Sequence, residues 1–306
     1  SLDWARQRIK GLSILQLIQK SLIGKSDAKT LVNQFNYPEN GTGSIYEKIK
    51  DKVQEKNRFH MRTIPTKITH DGKQITAVHL KLDGVEIVKH PTYLLTSIPI
   101  TEFVHLMEPK PPSKVLNASK QLCYRSQVYL FITVNKPQVS LSQWIYFPNK
   151  EIPFGRVSEM KNFSDKMSPP DKTSLMIEFF CWEGDATWNS DKETLLKESV
   201  KWLEKIGLIK MEEVEHSYLH RQRDVYPVYR IGYETHLNTI KSYLDQFKNL
   251  EYMGRPARFK YTNQDHSLEM GMLAARNVIG GKKYDLDKVG SENEYFEKGN
   301  SEREKV

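Results

Sequence analysis

The chain has 306 residues, of which 38% are hydrophobic and 27% are charged, and its formal net charge is +8. This length accommodates two domains with separate cores, and the apolar content is too high for a wholly disordered chain. The sequence contains no run of about 18 apolar residues, so no membrane span is predicted. The arginines do not cluster as they do in nucleic-acid-binding proteins. The basic bias is typical of scattered surface lysines or of a cleft for an anionic ligand.

The amino-terminal residues lack the features of a signal peptide. The chain has no initiator methionine and enters a helical pattern at once, so we expect it to begin inside a longer protein. Cys123 and Cys181 have neither the spacing of metal ligands nor that of a redox pair. Reduced cysteines are the rule in the cytoplasm, and we therefore expect a cytoplasmic protein.

The first hundred residues predict two helices followed by a series of hairpin-connected strands. Apolar spacing favours helices over residues 4–23 and 44–56. Asp71-Gly72 and Asp83-Gly84 are typical of hairpin turns between strands. The predicted strands are 64–68, 77–82, 86–88 and 93–99.

The second part of the chain interleaves strands with helices without a regular repeat, which predicts a mixed α/β or α+β fold. A capping box of Ser190 and Glu193 is expected to open the first of its helices, and Gly280-Gly281 to end the last. Residues from 282 to 306 form a polar tail. The predicted strands are 128–134, 143–147, 174–181 and 226–230, and the predicted helices are 191–206, 235–247 and 265–279.

Two histidines are spaced four residues apart, at His216 and His220. On a helix this spacing would place both side chains on one face. No third ligand stands near them in the sequence, so a metal site is not predicted.

The glycine-rich segment Gly41-Thr42-Gly43-Ser44-Ile45-Tyr46 is not a dinucleotide fingerprint. Tyr46 occupies the position of the third glycine, and no buried strand precedes the segment. Two interpretations stay open: an ordinary turn into a helix, or a helix amino terminus that brings backbone N–H groups against a ligand.

The segment from 252 to 265 combines groups that suit an anionic or polarised heterocyclic ligand. Gly254 permits close approach of the backbone, Arg255 offers a planar pair of donors, and Tyr261 supplies a hydroxyl group. A helix is expected to begin near Asp265 with its positive end towards this loop. The alternative is an ordinary exposed loop. Arg156 and Tyr226 are further candidates, neither of them specific alone.

Four segments, taken together in this order, resemble the amine-oxidase-like flavoproteins, which include protoporphyrinogen oxidases, amine oxidases and UDP-galactopyranose mutases. These segments are 3–11, 37–43, 154–163 and 254–265. The resemblance implies FAD as cofactor and a Rossmann-like FAD domain interrupted by a substrate domain of mixed sheet and helices. It assigns the substrate domain to 1–35 and 101–231, and the remaining FAD domain to 36–100 and 232–281. The strand, glycine loop and helix that hold the adenine end in this family are not found in the sequence.

The resemblance also implies contacts, position by position. Substrate contacts are implied at Arg156, Tyr226 and Tyr261, which match mutase positions around the diphosphate or the flavin. The chain departs from the mutases at Asn263-Gln264, where they have Asp-Met, and at Phe259, where they have tyrosine. Cofactor contacts are implied at Gly41, Gly43, Gly254, Arg255, Asn263, Gln264 and Asp265.

The function expected from the resemblance is that of a flavin-dependent oxidoreductase or isomerase with a small-molecule substrate. A mutase acting on a nucleotide-sugar would use reduced flavin as a nucleophile, whereas an oxidase would transfer hydride from substrate to flavin. Dehydrogenation of an amine or apolar substrate is therefore one alternative. A cofactor-less module that binds a partner is another, since the adenine-binding unit is not in the sequence. No catalytic residue is assigned.

Overall fold

The computed structural model describes residues 36–280 and 283–290, which form two compact units. One unit contains Asn36–Phe59 and Tyr124–Val225, and the other contains His60–Cys123 and the chain from Tyr226 onward. We call them the sheet unit and the mixed unit. The predicted domain boundaries lie at 35, 100 and 231, and the assignment of flavin and substrate roles stays a prediction. The predicted helix over 4–23 lies outside the described residues, as does most of the polar tail.

The described elements alternate between helices and strands, which confirms the predicted mixed fold class. None of the helices in these residues is long and apolar enough to cross a bilayer. The strands are β1 (Thr63–His70), β2 (Ile75–Leu82), β3 (Val85–Lys89), β4 (Leu94–Thr96), β5 (Met107–Glu108), β6 (Tyr124–Val134), β7 (Trp144–Tyr146), β8 (Arg156–Glu159), β9 (Thr173–Cys181), β10 (Val214–Pro227) and β11 (Leu250–Tyr252). The helices are α1 (Gly43–Gln54), α2 (Ile100–Leu106), α3 (Ser113–Ser119), α4 (Ala186–Asn189), α5 (Lys192–Lys205), α6 (Tyr233–Leu244), α7 (Gly254–Arg258) and α8 (Gln264–Ile279).

Two local predictions are corrected by the structure. His216 and His220 lie on strand β10 rather than on a helix. This strand lies at the edge of its sheet. Its sequence is largely polar, and pairing with β6 stabilises its extended conformation. Helix α5 is capped by Asp191, whose carboxylate accepts a hydrogen bond of 2.7 Å from the backbone of Thr194. Ser190 instead donates its hydroxyl proton to the carbonyl of Ala186.

The mixed unit is built on a four-stranded sheet in the order β3-β2-β1-β5. Strands β2 and β3 are joined at Asp83 and Gly84, whose φ angles of 48° and 88° are those of the tight turns that match strand twist. One side of this unit is closed by α3 packed on α6, with Val115 and Ile240 fully buried. The predicted strands and hairpin turn are therefore found where the apolar alternation placed them.

A second, two-stranded sheet in the mixed unit pairs β4 with β11 in parallel. Parallel strands have their carboxyl ends at the same edge, so Ser97 and Gly254, which follow these strands, come close together. A Cβ atom placed on Gly254 would lie 3.9 Å from the Cβ of Ser97. In α/β folds, the loops beyond the carboxyl ends of parallel strands are the usual place for ligands. The segment 254–265 begins at this edge.

The sheet unit contains a five-stranded sheet in the order β10-β6-β9-β8-β7. Alternate side chains of β6 and β9 point to one face and form a core with α5. The fully or almost fully buried side chains of this core include Val128, Leu130, Ile132, Leu175, Ile177, Phe179, Leu195, Val200 and Leu203. The other alternation places polar and aromatic side chains on the opposite face, which we call the polar face.

The register of the strands sets one row of residues across this polar face. Tyr129 pairs with Glu178, Glu178 with Arg156, and Arg156 with Tyr146. The side chains of directly opposed residues lie close together on one face of a sheet. The row therefore joins Arg156 to residues that are 10 and 22 positions away in the sequence.

An ion cluster in the mixed unit attaches residues 283–290 to the helices. The carboxylate of Asp287 accepts hydrogen bonds from Arg258 and, at 2.9 Å, from the ammonium of Lys241. Arg258 and Lys241 are nearly buried, while the Asp287 side chain is 39% exposed. Burial would raise the pKa of the Asp287 carboxyl, but the hydrogen bond from Arg258 and the two positive charges outweigh it and lower the pKa below its ordinary value.

Replacing Asp287 by asparagine is expected to lower the free energy of unfolding at pH 7 by about 2 kcal/mol. Removing one partner from a buried ion pair costs about 3–5 kcal/mol, and the partial exposure of Asp287 reduces that figure. Because the folded-state pKa lies below the unfolded value of about 3.9, the contribution is present above that value and is lost as pH falls through the folded-state pKa. Urea unfolding at pH 7 and pH 3 measures both effects.

The matched control is Asp83→Asn, which breaks the exposed ion pair between Asp83 and Arg62. Exposed pairs contribute about 0–1 kcal/mol, so this variant is expected to unfold almost as the wild type does. Equal losses in both variants, or a loss for Asp287→Asn that persists unchanged at pH 3, would contradict the assignment.

Candidate cofactor and substrate site

The segment after β11 is shaped by two left-handed residues. Gly254 has a φ angle of 80° at the entry to α7, and Phe259 has a φ angle of 49° at its end. A side chain at position 254 would be strained at this φ angle, which explains the glycine there. The chain then runs from Lys260 to Asn263, which precedes the first residue of α8. The two left-handed residues thus reverse the chain at both ends of α7, within the mixed unit.

Arg255 lies against the rings of two tyrosines. Its guanidinium carbon is 5.1 Å from the centre of the Tyr226 ring and 4.8 Å from that of Tyr261. The two rings are 5.8 Å apart with an angle of 16° between their planes. Arg255 Nε also donates a hydrogen bond of 2.7 Å to the carbonyl of Thr262. We call Tyr226, Arg255 and Tyr261 the aromatic–arginine cluster, and its flat groups suit a planar, electron-rich ligand.

The backbone of Tyr261 is fixed by a hydrogen bond to Tyr229. Its N–H donates a hydrogen bond of 2.7 Å to the hydroxyl of Tyr229. The Tyr229 ring in turn stacks on Tyr233 at 4.6 Å and meets the edge of Phe259. The hydroxyl of a buried tyrosine needs a partner, and the backbone of Tyr261 supplies one. Phe259 therefore has a packing role here, where the mutases carry tyrosine.

Asn263, Gln264 and Asp265 form the entry to helix α8. The backbone N–H of Asn263 donates to Nδ1 of His266 at 3.2 Å, which satisfies one donor of the helix amino terminus. Gln264 is exposed, and Asn263 and Asp265 are half-buried. The helix has 16 residues, so its amino-terminal dipole is well developed. The structure thus places all three residues in the same segment as Arg255, and their contact with a cofactor stays a prediction.

Gly41 and Gly43 form a helix-entry turn in the sheet unit. Gly41 has a φ angle of 82°, and its carbonyl accepts the N–H and the hydroxyl of Ser44. A Cβ atom on Gly41 would lie 3.1 Å from the end of Met167. Gly43 begins α1, with nothing within 4 Å of the place of its missing Cβ. Turn geometry and packing therefore account for Gly41, and the flavin contact implied for both glycines stays a prediction.

Arg156 is joined to a fully buried carboxylate. Its Nε and Nη2 donate to the two oxygens of Glu178 at 2.6 and 2.7 Å, and Nη1 lies 3.5 Å from the hydroxyl of Tyr146. Glu178 is 0% exposed, whereas the side chain of Arg156 is 30% exposed. Burial would lower the pKa of Arg156, but the hydrogen bond and charge of Glu178 raise it above the ordinary arginine value. The guanidinium is always charged, and Glu178 balances that charge.

The residues that follow Arg156 in its motif tie loops together. Glu159, which is 2% exposed, accepts hydrogen bonds from the backbone of Val139 and Ser140 and from the hydroxyl of Thr173. The ammonium of Lys161 lies 2.7–3.0 Å from four carbonyl oxygens, which share its three N–H donors. The oxygens belong to Pro137, Pro169, Pro170 and Lys172. One buried acid and one lysine thus satisfy the backbone of two neighbouring loops.

Phe163, at the end of this motif, attaches the glycine loop to the sheet unit. Its ring lies 5.0 Å from that of Tyr37 and stacks on Trp144 at 5.5 Å. With the contact of Gly41 and Met167, this brings the segments 37–43 and 154–167 together within one unit. The aromatic–arginine cluster and the entry to α8 form a second group, within the mixed unit.

His216 and His220 both lie on strand β10. Among the described residues no group of three or more His, Cys, Asp or Glu side chains is arranged to hold a metal ion. The His220 ring instead stacks on Tyr129 at 6.2 Å on the polar face.

No family model matches the sequence. The structure is similar to that of a reduced UDP-galactopyranose mutase, with a TM-score of 0.77 and 22% sequence identity over 95% of this chain and 64% of the mutase. It is also similar to a candidate protoporphyrinogen oxidase from Exiguobacterium sp. 255-15, with a TM-score of 0.58, 20% identity, and coverage of 78% of this chain and 52% of that one. A putrescine oxidase variant gives a TM-score of 0.58 and 13% identity over 79% of this chain and 54% of the oxidase.

The chain shares its fold with these three solved structures. This confirms, at the level of the fold, the resemblance seen in the sequence. The chain spans less than two thirds of the mutase and about half of each oxidase. The identities are low, so the likeness concerns architecture.

Sequence reasoning missed the partners that position the candidate residues. Gln127 and Glu178 support Arg156, and Tyr229 supports Tyr261. One signal for Glu178 was present: it is the single charged residue in the apolar strand β9, and a carboxylate is almost never buried without a partner. The identity of that partner depends on strand register, which the sequence alone does not display.

Replacing Lys161 by methionine is expected to lower the free energy of unfolding by about 2 kcal/mol. Methionine keeps the length of the side chain but leaves four carbonyl oxygens without their shared donor, and hydrogen bonds to charged groups contribute about 1.5–3 kcal/mol each. Partial access of water to these carbonyls limits the loss. Denaturant unfolding measures it.

Lys166→Met, at an exposed position five residues along the same segment, is the control and is expected to change stability by less than about 0.5 kcal/mol. If both variants unfold at the denaturant concentration of the wild type, Lys161 does not hold these loops.

Proposed function

We propose that this chain provides the flavin-ring and substrate contacts of an FAD-dependent enzyme that acts on a nucleotide-sugar, as the mutases do. The observation that supports this most strongly is the aromatic–arginine cluster beside Gly254, at the carboxyl edge of the β4–β11 sheet. A left-handed glycine, a planar cation and the Tyr261 ring belong to the segment 254–265, which by sequence resembles a flavoprotein motif, and the Tyr226 ring is brought against them by the fold. We infer a cytoplasmic, small-molecule enzyme.

The residues present fit the ring end of a flavin. The backbone at Gly254 carries no side chain to obstruct a planar ligand, and Arg255 would contribute positive charge beside the carbonyl groups of such a ring. Asn263, Gln264 and Asp265 stand at the positive end of α8, which favours an electron-rich group. When bound, the flavin would supply the redox or nucleophilic chemistry. The role of the chain is to orient that ring and the substrate.

Tyr226 and Tyr261, the two rings of the aromatic–arginine cluster, would hold the substrate. Their rings are fixed at a small angle to one another, so they offer flat surfaces for a base or a sugar, and their hydroxyl groups add directional donors. Positioning of this kind accounts for a large part of the rate in reactions where the cofactor carries the chemistry. A polar substrate suits such a cluster better than an apolar one does.

Flavin binding tests the cofactor part of the proposal. Purified protein titrated with FAD is expected to quench flavin fluorescence, and Arg255→Ala is expected to raise the dissociation constant at least tenfold because the stacked cation and its hydrogen bonds are lost. Arg255→Lys keeps the charge but not the planar stack, so an intermediate loss is expected. Arg276→Ala, at an exposed position on α8, is the control and should bind as the wild type does.

Turnover tests the substrate part. With FAD and dithionite, the protein is expected to convert UDP-galactopyranose into its ring isomer, and to do so only when the flavin is reduced. Anion-exchange chromatography measures the conversion. Hydrogen peroxide released from an amine under oxidising conditions would support the oxidase alternative instead. A protein that binds no flavin under either condition would contradict the enzyme proposal and favour the partner-binding module.

A further inference from the structure

Arg156 cannot be treated as an isolated positive charge. Both oxygens of Glu178 accept hydrogen bonds from the guanidinium, in the paired geometry that gives the strongest contacts between these groups. The pair lies on the polar face of the five-stranded sheet, where Arg156 is partly exposed and Glu178 is not. Seen from solvent, the guanidinium edge is therefore backed directly by a negative charge.

The carboxylate is fixed independently of Arg156. Gln127, which is buried, donates from Nε2 to Glu178 at 3.1 Å, and the hydroxyl of Tyr129 donates to the Gln127 side-chain oxygen. All three residues belong to the central strands β6 and β9, whose backbones are paired from Ser126 to Val134 and from Thr173 to Cys181. Glu178 therefore holds the guanidinium in one orientation, and Arg156 has no freedom to turn towards another anion without leaving a buried charge uncompensated.

The exposed edge of Arg156 lies beside one aromatic residue, Tyr146. Nη1 of Arg156 is close to the Tyr146 hydroxyl, and its guanidinium lies 5.7 Å from the centre of the Tyr146 ring. The rings of Tyr146 and Trp144 are both exposed on this face. Arg156 and Glu178 together carry no net charge, and the Tyr146 ring lies beside them, so this edge is complementary to an uncharged polar ring such as a sugar and poorly complementary to a phosphate.

We propose that Arg156 and Tyr146 form a subsite for a neutral hydrogen-bond-accepting group, such as a sugar hydroxyl or carbonyl, and that Glu178 is the positioning residue that excludes anions from it. This differs from the diphosphate contact that the family resemblance implies for Arg156. It rests on the proposed function only in naming a sugar as the ligand. The exclusion of anions stands on the sheet unit alone and needs no flavin.

The experiment is calorimetric titration of the full chain with inorganic pyrophosphate at low ionic strength. Glu178→Gln keeps the shape of the side chain and a hydrogen-bond acceptor but removes the charge, so it is expected to tighten pyrophosphate binding at least tenfold. The double variant Glu178→Gln with Arg156→Gln is expected to return to the wild-type affinity. Glu151→Gln removes the same charge at an exposed position of the same unit, and should change the affinity less than twofold.

Arg156→Gln in the wild-type background is expected to leave pyrophosphate affinity within twofold. A tenfold loss in this variant would show that Arg156 already binds anions and would overturn the proposal, as would a Glu178→Gln protein that binds no more tightly than the wild type. Thermal unfolding checks that each variant is folded. If Glu178→Gln does not fold, the Arg156→Gln comparison decides alone.

The neutral ligand is tested separately by saturation-transfer NMR with D-galactose. Signals from the wild-type protein are expected to fall at least threefold in Tyr146→Ala, and no signal from the wild type would overturn the ligand assignment. Because neither measurement includes flavin, failure here is distinguishable from failure of the flavin titration.

Discussion

Carboxylates that are wholly or partly removed from water organise both units of this protein. A carboxylate removed from water is tolerated only when charges or several N–H and O–H donors surround it. Glu159 meets this requirement with backbone and hydroxyl donors, Glu178 with Arg156 and Gln127, and the partly exposed Asp287 with an arginine and a lysine. In each case the partners come from distant parts of the chain, so the buried charge determines which loops and helices are held together.

Within the motif at residues 154–163, some side chains hold loops in place and one is presented towards solvent. Of the residues from 154 to 163, Glu159 and Lys161 satisfy backbone groups of neighbouring loops, and Phe163 packs between Tyr37 and Trp144. Arg156 reaches the exposed edge of the polar face. A motif match therefore does not assign function to each of its members, because several of them are needed simply to hold the loop that presents one side chain.

The sequence predicts what depends on neighbours in the chain. The turn at Asp83-Gly84 and helix α5 were predicted because turn geometry and the spacing of apolar residues are local properties. Strand β10 was not, since its polar sequence forms a strand only through pairing with β6. The candidate site follows the same division: Arg255 and Tyr261 share one segment, whereas the approach of Tyr226 and the pairing of Glu178 with Arg156 depend on tertiary structure.

The two arginines singled out by the sequence consequently have different chemistry, although residue type alone makes them equivalent. Arg255 lies flat against two tyrosine rings and is oriented by a backbone carbonyl, an arrangement that presents a planar cation to a planar ligand. Arg156 is locked to a carboxylate that lies beneath it, so its outward edge acts as a hydrogen-bond donor with little net charge. Permanent charge on an arginine is guaranteed by its high pKa, but its effect on a ligand depends on the nearest counter-charge. Electrostatic specificity in this protein is therefore set by residues such as Glu178, which need not touch the ligand.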